Sequence, residues 1–257
     1  MTLPERLPTK LKCSMLPYEY ELRHTVESFG PLSLEVFCLA SLDQTIDDLF
    51  DILNRQGTPE LLETLCPYFG TVWPAARALT EELLALDART PLRTTPRILE
   101  LGCGLALPSI AAALKGARPV ATDCHPDIEA FLELNVQANL KANLEGSRID
   151  YRPLDWRNPE QLGPLGKFDW VVASDVLYEK AQPALVARSI RESLQSSQSH
   201  YILTDPGRPY LQEFADEAKR LGLSCEIKTR TVADPGAEMP QVIGRTRDVF
   251  VLTGSLR

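Results

Sequence analysis

Two hydrophobic periods divide the chain. From Tyr18 to Glu27, and again where Leu32, Leu34, Val36 and Cys38 alternate with Ser33, Glu35 and Phe37, the period is close to two, which predicts a hairpin turning at Gly30-Pro31. Ile46, Leu49, Phe50 and Leu53 then fall at helical spacing, and Gly57-Thr58-Pro59 breaks that helix. A second helix is expected from Pro74 to Leu86, because proline suits a first turn where its missing N–H has no partner to lose. Asp87 to Pro96 reads as a polar loop. From Arg97 onward short apolar strands alternate with helices. Strands are expected at Ile98–Leu101, Pro119–Thr122, Ile149–Arg152, Trp170–Ser174 and Tyr201–Thr204, with helices at Leu107–Lys115, Pro126–Lys141, Pro183–Leu194 and Pro209–Leu221. Two last strands, Ser224–Thr231 and Asp248–Thr253, have no helix between them, so one of the pair should run antiparallel. The pattern specifies an α/β fold, a Rossmann-like seven-stranded sheet with helices on both faces. Residues 1–66 form an N-terminal extension of hairpin and helix packed on it, short for a core of its own, and residues 67–257 form the main domain.

Composition narrows the partners. With 257 residues, 44% hydrophobic and 24% charged, the chain is ordinary globular material. A formal net charge of −8 disfavours a phosphate-binding surface, so a nucleic-acid partner is not expected. The six cysteines are scattered without a Cys-x-x-Cys pair and are accompanied by three histidines, so no metal site is expected; they read as reduced thiols of a cytoplasmic protein. The first ten residues carry no long apolar run, so no membrane association is expected.

The sharpest local signal is Glu100-Leu101-Gly102-Cys103-Gly104-Leu105, a strand entering a Gly-x-Gly turn before a helix. Ligands of open α/β sheets bind at the carboxyl ends of strands. Asp123 ends the next strand, where a carboxylate can accept ribose hydroxyls. Asp155-Trp156 follows the third, where an acid can meet an adenine amine and an indole can flank the ring. A dinucleotide fingerprint would place a third glycine where Leu107 stands, so the set favours S-adenosylmethionine over a nicotinamide cofactor. Blander roles stay open: Glu100 capping the glycine loop, Asp123 serving as the anion of a helix N-terminus, Trp156 as plain core. In the following helix Asn135 lies on the apolar face with Ile128, Phe131 and Leu132, and Asn139 one turn beyond; a structural amide bonded to backbone is the favoured reading of Asn135.

The fourth strand ends in Ser174-Asp175-Val176-Leu177-Tyr178. A carboxylate there can hold an amine and the phenol can shape a slot around it, or Asp175 caps the next helix and Tyr178 packs below it. With these residues the chain resembles the methyltransferase-like group of seven-strand protein lysine methyltransferases. The likeness rests on Asp175-x-x-Tyr178, on Trp73-Pro74 ahead of the first strand, and on the glycine motif, and it spans about residues 66 to 210. Thr204-Asp205-Pro206-Gly207-Arg208-Pro209 is similar to a stretch of the electron-transfer-flavoprotein β-subunit lysine methyltransferases, whereas Val176-Leu177 departs from their more aromatic pair.

The resemblance implies a fold of class I methyltransferase type and S-adenosyl-L-methionine as cofactor. It implies that Trp73, Glu100, Gly102, Gly104, Asp123, Asp155, Trp156 and Ser174 contact that cofactor, with Trp73 near its methionine end. Asp175 and Tyr178 are implied as the catalytic pair, with the Asp-Pro-Gly-Arg loop closing over the substrate, a lysine side chain of a protein. The extension is expected to offer that protein a docking surface. A small-molecule N- or O-methyltransferase, or a cofactor-binding module that has lost catalysis, are the competing functions. Nothing in the sequence specifies the oligomeric state.

Overall fold

The computed structural model describes residues 8–86, 95–140, 148–234 and 245–257. Most of the polar loop expected from Asp87, residues 1–7 of the extension and the helix end at Lys141 lie outside them.

The chain opens with a three-stranded antiparallel sheet of β1 (Lys10–Lys12), β2 (Glu19–Phe29) and β3 (Leu32–Leu39), in that order. The hairpin follows the alternation. The short β1 was not anticipated, because three residues carry no readable period and only pairing with β2 makes them a strand. Helix α1 (Leu42–Gln56) starts where the Ser41 hydroxyl accepts the Gln44 N–H at 3.2 Å and ends at the left-handed Gly57. It turns Thr45, Leu49 and Leu53 inward and leaves Phe50 exposed. A single turn, α2 (Leu62–Leu65), leads towards α3 (Pro74–Ala85), which has Pro74 in its first turn as expected.

The main sheet then alternates β4 (Arg97–Leu101), α4 (Leu107–Leu114), β5 (Arg118–Asp123), α5 (Ile128–Asn139), β6 (Asp150–Pro153), β7 (Trp170–Ser174), α6 (Gln182–Ser193), β8 (His200–Asp205) and α7 (Leu211–Arg220). It closes with β9 (Glu226–Ala233) and β10 (Thr246–Ser255). The strand order is β6-β5-β4-β7-β8-β10-β9. The first five of these strands pair in parallel, and β10 runs antiparallel to both β8 and β9. The lone reversed strand anticipated from the missing helix is therefore β10.

Strand alternation sorts the core into layers. Leu99, Leu101, Val171, Ala173, Tyr201 and Leu203 pack with Val186 and Ile190 of α6 and Phe214 of α7. Their neighbours Ile98, Trp170, Val172 and Ile202 face Leu79 and Leu83 of α3 and Ala112 of α4. The order reverses at β4, whose neighbours β5 and β7 lead the chain outward in opposite directions, so the carboxyl ends of β4, β5 and β7 border one crevice.

The extension joins the main domain through buried polar contacts as well as apolar ones. Asn135 accepts the Phe37 N–H at 2.7 Å and donates to its carbonyl at 3.2 Å; Asn139 does the same with Glu35 at 2.8 and 2.6 Å. The two amides thus satisfy the free edge of β3, which bears out the structural reading of Asn135. Asp127 accepts from the Tyr20 hydroxyl and the Ser14 N–H, each at 2.7 Å. Arg77 of α3 forms a two-pronged pair with Glu27 of β2, both contacts at 2.7 Å. Tyr20, Leu34, Val36 and Cys38 lie in one apolar cluster with Phe69, Leu107, Ile110 and Phe131.

Candidate active site

The turn after β4 is built around Gly102, at φ 67°, where a side chain would also be obstructed: a Cβ would lie 3.0 Å from Val176 Cγ1 and 3.2 Å from the indole of Trp156. Asp123 ties this turn to the end of β5. Its Oδ2 accepts the Gly104 N–H at 3.1 Å, and its Oδ1 accepts the Cys124 and His125 N–H groups at 2.8 and 3.2 Å. Burial raises the Asp123 pKa above the usual carboxylate range while these N–H groups pull it back down.

Glu100, expected to line the pocket, is enclosed between the end of β4 and α4. It has no exposed surface, and its Oε2 accepts from both the N–H (3.0 Å) and the hydroxyl of Ser109 in α4. It secures the helix behind the glycine turn through Ser109. Its Oε1 has no hydrogen-bond partner among the described residues, and burial pushes its pKa up to about 8. In the unfolded chain the same carboxyl titrates near 4.5, so the unfolded state loses its proton first as pH rises. The Glu100 contribution to stability should therefore be fully present below about pH 4.5, fall by roughly 5 kcal/mol up to about pH 8, and level off above. Glu100→Gln should remove that slope; melting curves of the two proteins that stay parallel across this range would disprove it.

The Asp155 carboxylate accepts the Arg157 Nε at 2.9 and 3.1 Å and the Arg157 N–H at 2.9 Å, and this pairing lowers its pKa. It is thus engaged by a neighbour in sequence, at the position where the adenine contact was expected. Trp156 packs against the central core with its buried Nε1 unpartnered among the described residues. On the other side of the crevice the segment before α3 lies close to the glycine turn: a Cβ on Gly104 would be 3.4 Å from the Phe69 carbonyl, and Trp73 Nε1 donates to the Tyr68 carbonyl at 2.9 Å.

Beyond β4 the ends of β7 and β8 converge on the start of α3. Ser174 pairs with Thr204, whose hydroxyl donates to the Ala75 carbonyl at 2.8 Å. Asp175 follows with φ 54°, a left-handed conformation uncommon outside glycine. Its N–H donates to the Thr204 carbonyl at 2.9 Å, and it is 8% exposed. Non-glycine residues held in this region concentrate at functional sites. Arg208 addresses both carboxylate oxygens, with Nε at 2.8 Å and Nη2 at 3.2 Å. Tyr178 is half exposed; partial burial, with the charge of Asp123 beside it, pushes its phenol up to about 12, so it stays neutral at ordinary pH. The helix-cap alternative for Asp175 has no support in its contacts, since α6 begins only at Gln182. Sequence reasoning placed Arg208 in a closing loop and did not identify it as Asp175's partner. The Asp-Pro-Gly-Arg stretch was the available signal.

A lysine methyltransferase family model matches residues 66–215, more than half of the chain. The chain belongs to the lysine methyltransferase family.

Among its relatives is the electron transfer flavoprotein beta subunit lysine methyltransferase of Xenopus laevis, 30% identical over 194 residues that make up 75% of this chain and 71% of the relative. The calmodulin-lysine N-methyltransferase of Arabidopsis thaliana is 32% identical over 158 residues, 59% of this chain and 50% of that one. The solved structure of an S-adenosylmethionine-dependent methyltransferase from Agrobacterium tumefaciens superposes with a TM-score of 0.60 at 14% identity, over 91% of this chain and 70% of that one. The magnesium protoporphyrin IX methyltransferase of Synechocystis, solved with S-adenosylmethionine, gives 0.54 at 16% identity, over 85% and 99%. Likeness at that identity speaks for the fold, which is that of the class I methyltransferases. This lysine methyltransferase takes S-adenosylmethionine as its cofactor, as the resemblance implied. The residues around the glycine turn suit such a ligand. A backbone turn without side chains at Gly102 and Gly104 permits close approach, the Asp123 carboxylate stands beside it, and the orphaned Trp156 Nε1 marks a polar atom still in need of a partner. Among the described residues no cluster of side chains suits a metal ion, and no helix is long and apolar enough to cross a membrane.

Asp123→Ala should weaken S-adenosylhomocysteine binding at least about tenfold, since a charge-assisted contact to the ribose is lost along with the tie to Gly104. Titration calorimetry giving equal affinities would remove Asp123 from the cofactor site.

Proposed function

We propose that this protein methylates a lysine side chain of a protein, with the cofactor lying across the ends of β4, β5 and β6 and the target amine entering between Asp175 and Tyr178. The single observation that carries the reading is Asp175, a buried carboxylate in a left-handed conformation at the end of β7, next to a half-exposed tyrosine. Trp73, Gly102, Gly104, Asp123, Trp156 and Ser174 are proposed to line the cofactor cleft. Glu100 supports it from behind, and Asp155 acts through the Arg157 turn.

When bound, S-adenosylmethionine supplies an electrophilic methyl group. The chain's own task is alignment and dehydration. Asp175 accepts a hydrogen bond from the amine and so orients its lone pair along the line of attack. The Tyr178 ring walls the slot and excludes water, which favours the neutral amine over the ammonium. The relatives named for flavoprotein and calmodulin substrates act on proteins, and a chain of net charge −8 attracts basic segments. A cytoplasmic setting suits its unpaired thiols.

The test is a lysate of the source cells, lacking the enzyme, incubated with isotope-labelled S-adenosylmethionine and the purified protein. Label should appear in a discrete protein band and map to lysine by mass spectrometry. Label confined to small molecules, or found on histidine or arginine, would overturn the acceptor assignment and leave the cofactor untouched.

A further inference from the structure

We propose that Arg208 is a positioning residue that cancels the charge of Asp175, so that the acceptor slot selects the neutral amine of lysine over its ammonium. The proposal rests on Asp175 facing the amine, as argued above.

The geometry is a built one. The guanidinium approaches both oxygens of Asp175 at 2.8 and 3.2 Å, and the carboxylate side chain is 5% exposed. The loop that delivers Arg208 is itself clamped: the fully buried Asp205 accepts the Gly207 and Arg208 N–H groups at 2.7 and 2.6 Å through one oxygen. Gly207 sits at φ 94°, a backbone conformation that favours glycine, and a Cβ there would crowd the Phe250 ring at 3.2 Å. A surface arginine meeting a carboxylate by chance would not need such a frame.

Charge decides what the pair does. An isolated carboxylate within about 4–6 Å of an amine raises the amine's pKa by roughly 1–3 units and traps it as ammonium, which has no lone pair to attack with. A carboxylate already paired with guanidinium exerts little net field, yet keeps lone pairs beyond the two used by Arg208 and can still accept an amine N–H. The other groups near the pair are Tyr178, a neutral phenol that itself faces Asp123, Cys124 and Glu179, and Asp205, which is fully buried and whose pKa is raised by burial while the Gly207 and Arg208 N–H groups lower it; none is an exposed base beside the amine. The proton is therefore given up to bulk solvent. The nitrogen lone pair then forms the N–C bond as the bond from the methyl carbon to sulfur breaks, leaving its electron pair on the thioether.

Binding of two adenosyl ligands tests this without a known acceptor. S-adenosylhomocysteine carries no charge at the donor position. Sinefungin carries a primary amine there, pointing where the methyl group points. Calorimetry at about pH 7 should show that Arg208→Gln raises the preference for sinefungin over S-adenosylhomocysteine about tenfold, as an uncompensated carboxylate attracts the ammonium. Arg208→Lys, which keeps the charge, should restore the preference to within about twofold of wild type. In the unaltered protein the preference for sinefungin should rise with pH as its amine loses its proton, a result that needs no variant to fold. An unchanged preference in Arg208→Gln, or a wild-type preference that falls with pH, would overturn the proposal. Asp175→Asn separates the two readings: it should lower the preference, and if it has no effect the placement of Asp175 beside the donor is what fails.

Discussion

Asp175→Asn should slow methyl transfer to the labelled acceptor by about a thousandfold or more, a loss of roughly 4 kcal/mol of transition-state stabilisation, while S-adenosylhomocysteine binds within about threefold of wild type. The asymmetry follows from position. Asp123 ends β5 and the glycine turn follows β4, whereas Asp175 follows β7 on the far side of the crevice. Asparagine is the informative replacement, because it tolerates the left-handed backbone at φ 54° and keeps the side-chain shape. Alanine would add backbone strain of about 1–2 kcal/mol and confuse stability with chemistry. Glycine relieves the strain, so an Asp175→Gly protein should remain folded, bind cofactor and stay inactive. Transfer at the wild-type rate by the asparagine variant would leave Asp175 a structural residue and remove the main support for the proposed acceptor slot.

Removing residues 1–40 should abolish cooperative folding, not merely weaken recognition of a protein partner. Tyr20, Leu22, Phe29, Leu34, Val36, Phe37, Cys38 and Leu39 are all less than 9% exposed. The deletion would expose the side chains they cover in the main domain, among them Phe69, Leu107, Ile110 and Phe131; at roughly 2 kcal/mol for each large apolar side chain left in water, that loss is comparable to the net stability of about 5–15 kcal/mol that a domain possesses. The deletion would also strip partners from Asp127, Asn135 and Asn139, whose amides and carboxylate now meet the backbone and tyrosine of the extension. The truncated chain should lack a sharp thermal transition and should not be stabilised by S-adenosylhomocysteine. A truncated protein that melts cooperatively and binds the ligand with wild-type affinity would show that the main domain is self-sufficient. The docking role expected of the extension is therefore better tested by substitutions at its exposed positions, such as Val26 and Phe50.

Local pattern determined the succession of elements here. The strands β4, β5, β7 and β8 and the helices between them each carry a period that depends on residues within a few positions of one another, so their existence was legible and their ends shifted by only one or two residues. The glycine turn, Asp123 and Asp175 were legible as candidate site residues for a related reason: each immediately follows or ends a recognisable strand, and the carboxyl ends of parallel strands share one edge of the sheet. What a polar side chain bonds to was a different matter. Asp175 meets Arg208 across 33 positions, Asn135 meets Phe37 across 98 and Tyr20 meets Asp127 across 107. No local period encodes such a pairing, since it depends on how whole layers stack. The same cause decides the Glu100 contacts: sequence places it at a strand end, and only the packing of α4 brings Ser109 to its carboxylate. The Asp155–Arg157 pairing spans only two residues and belongs to the turn after β6 itself.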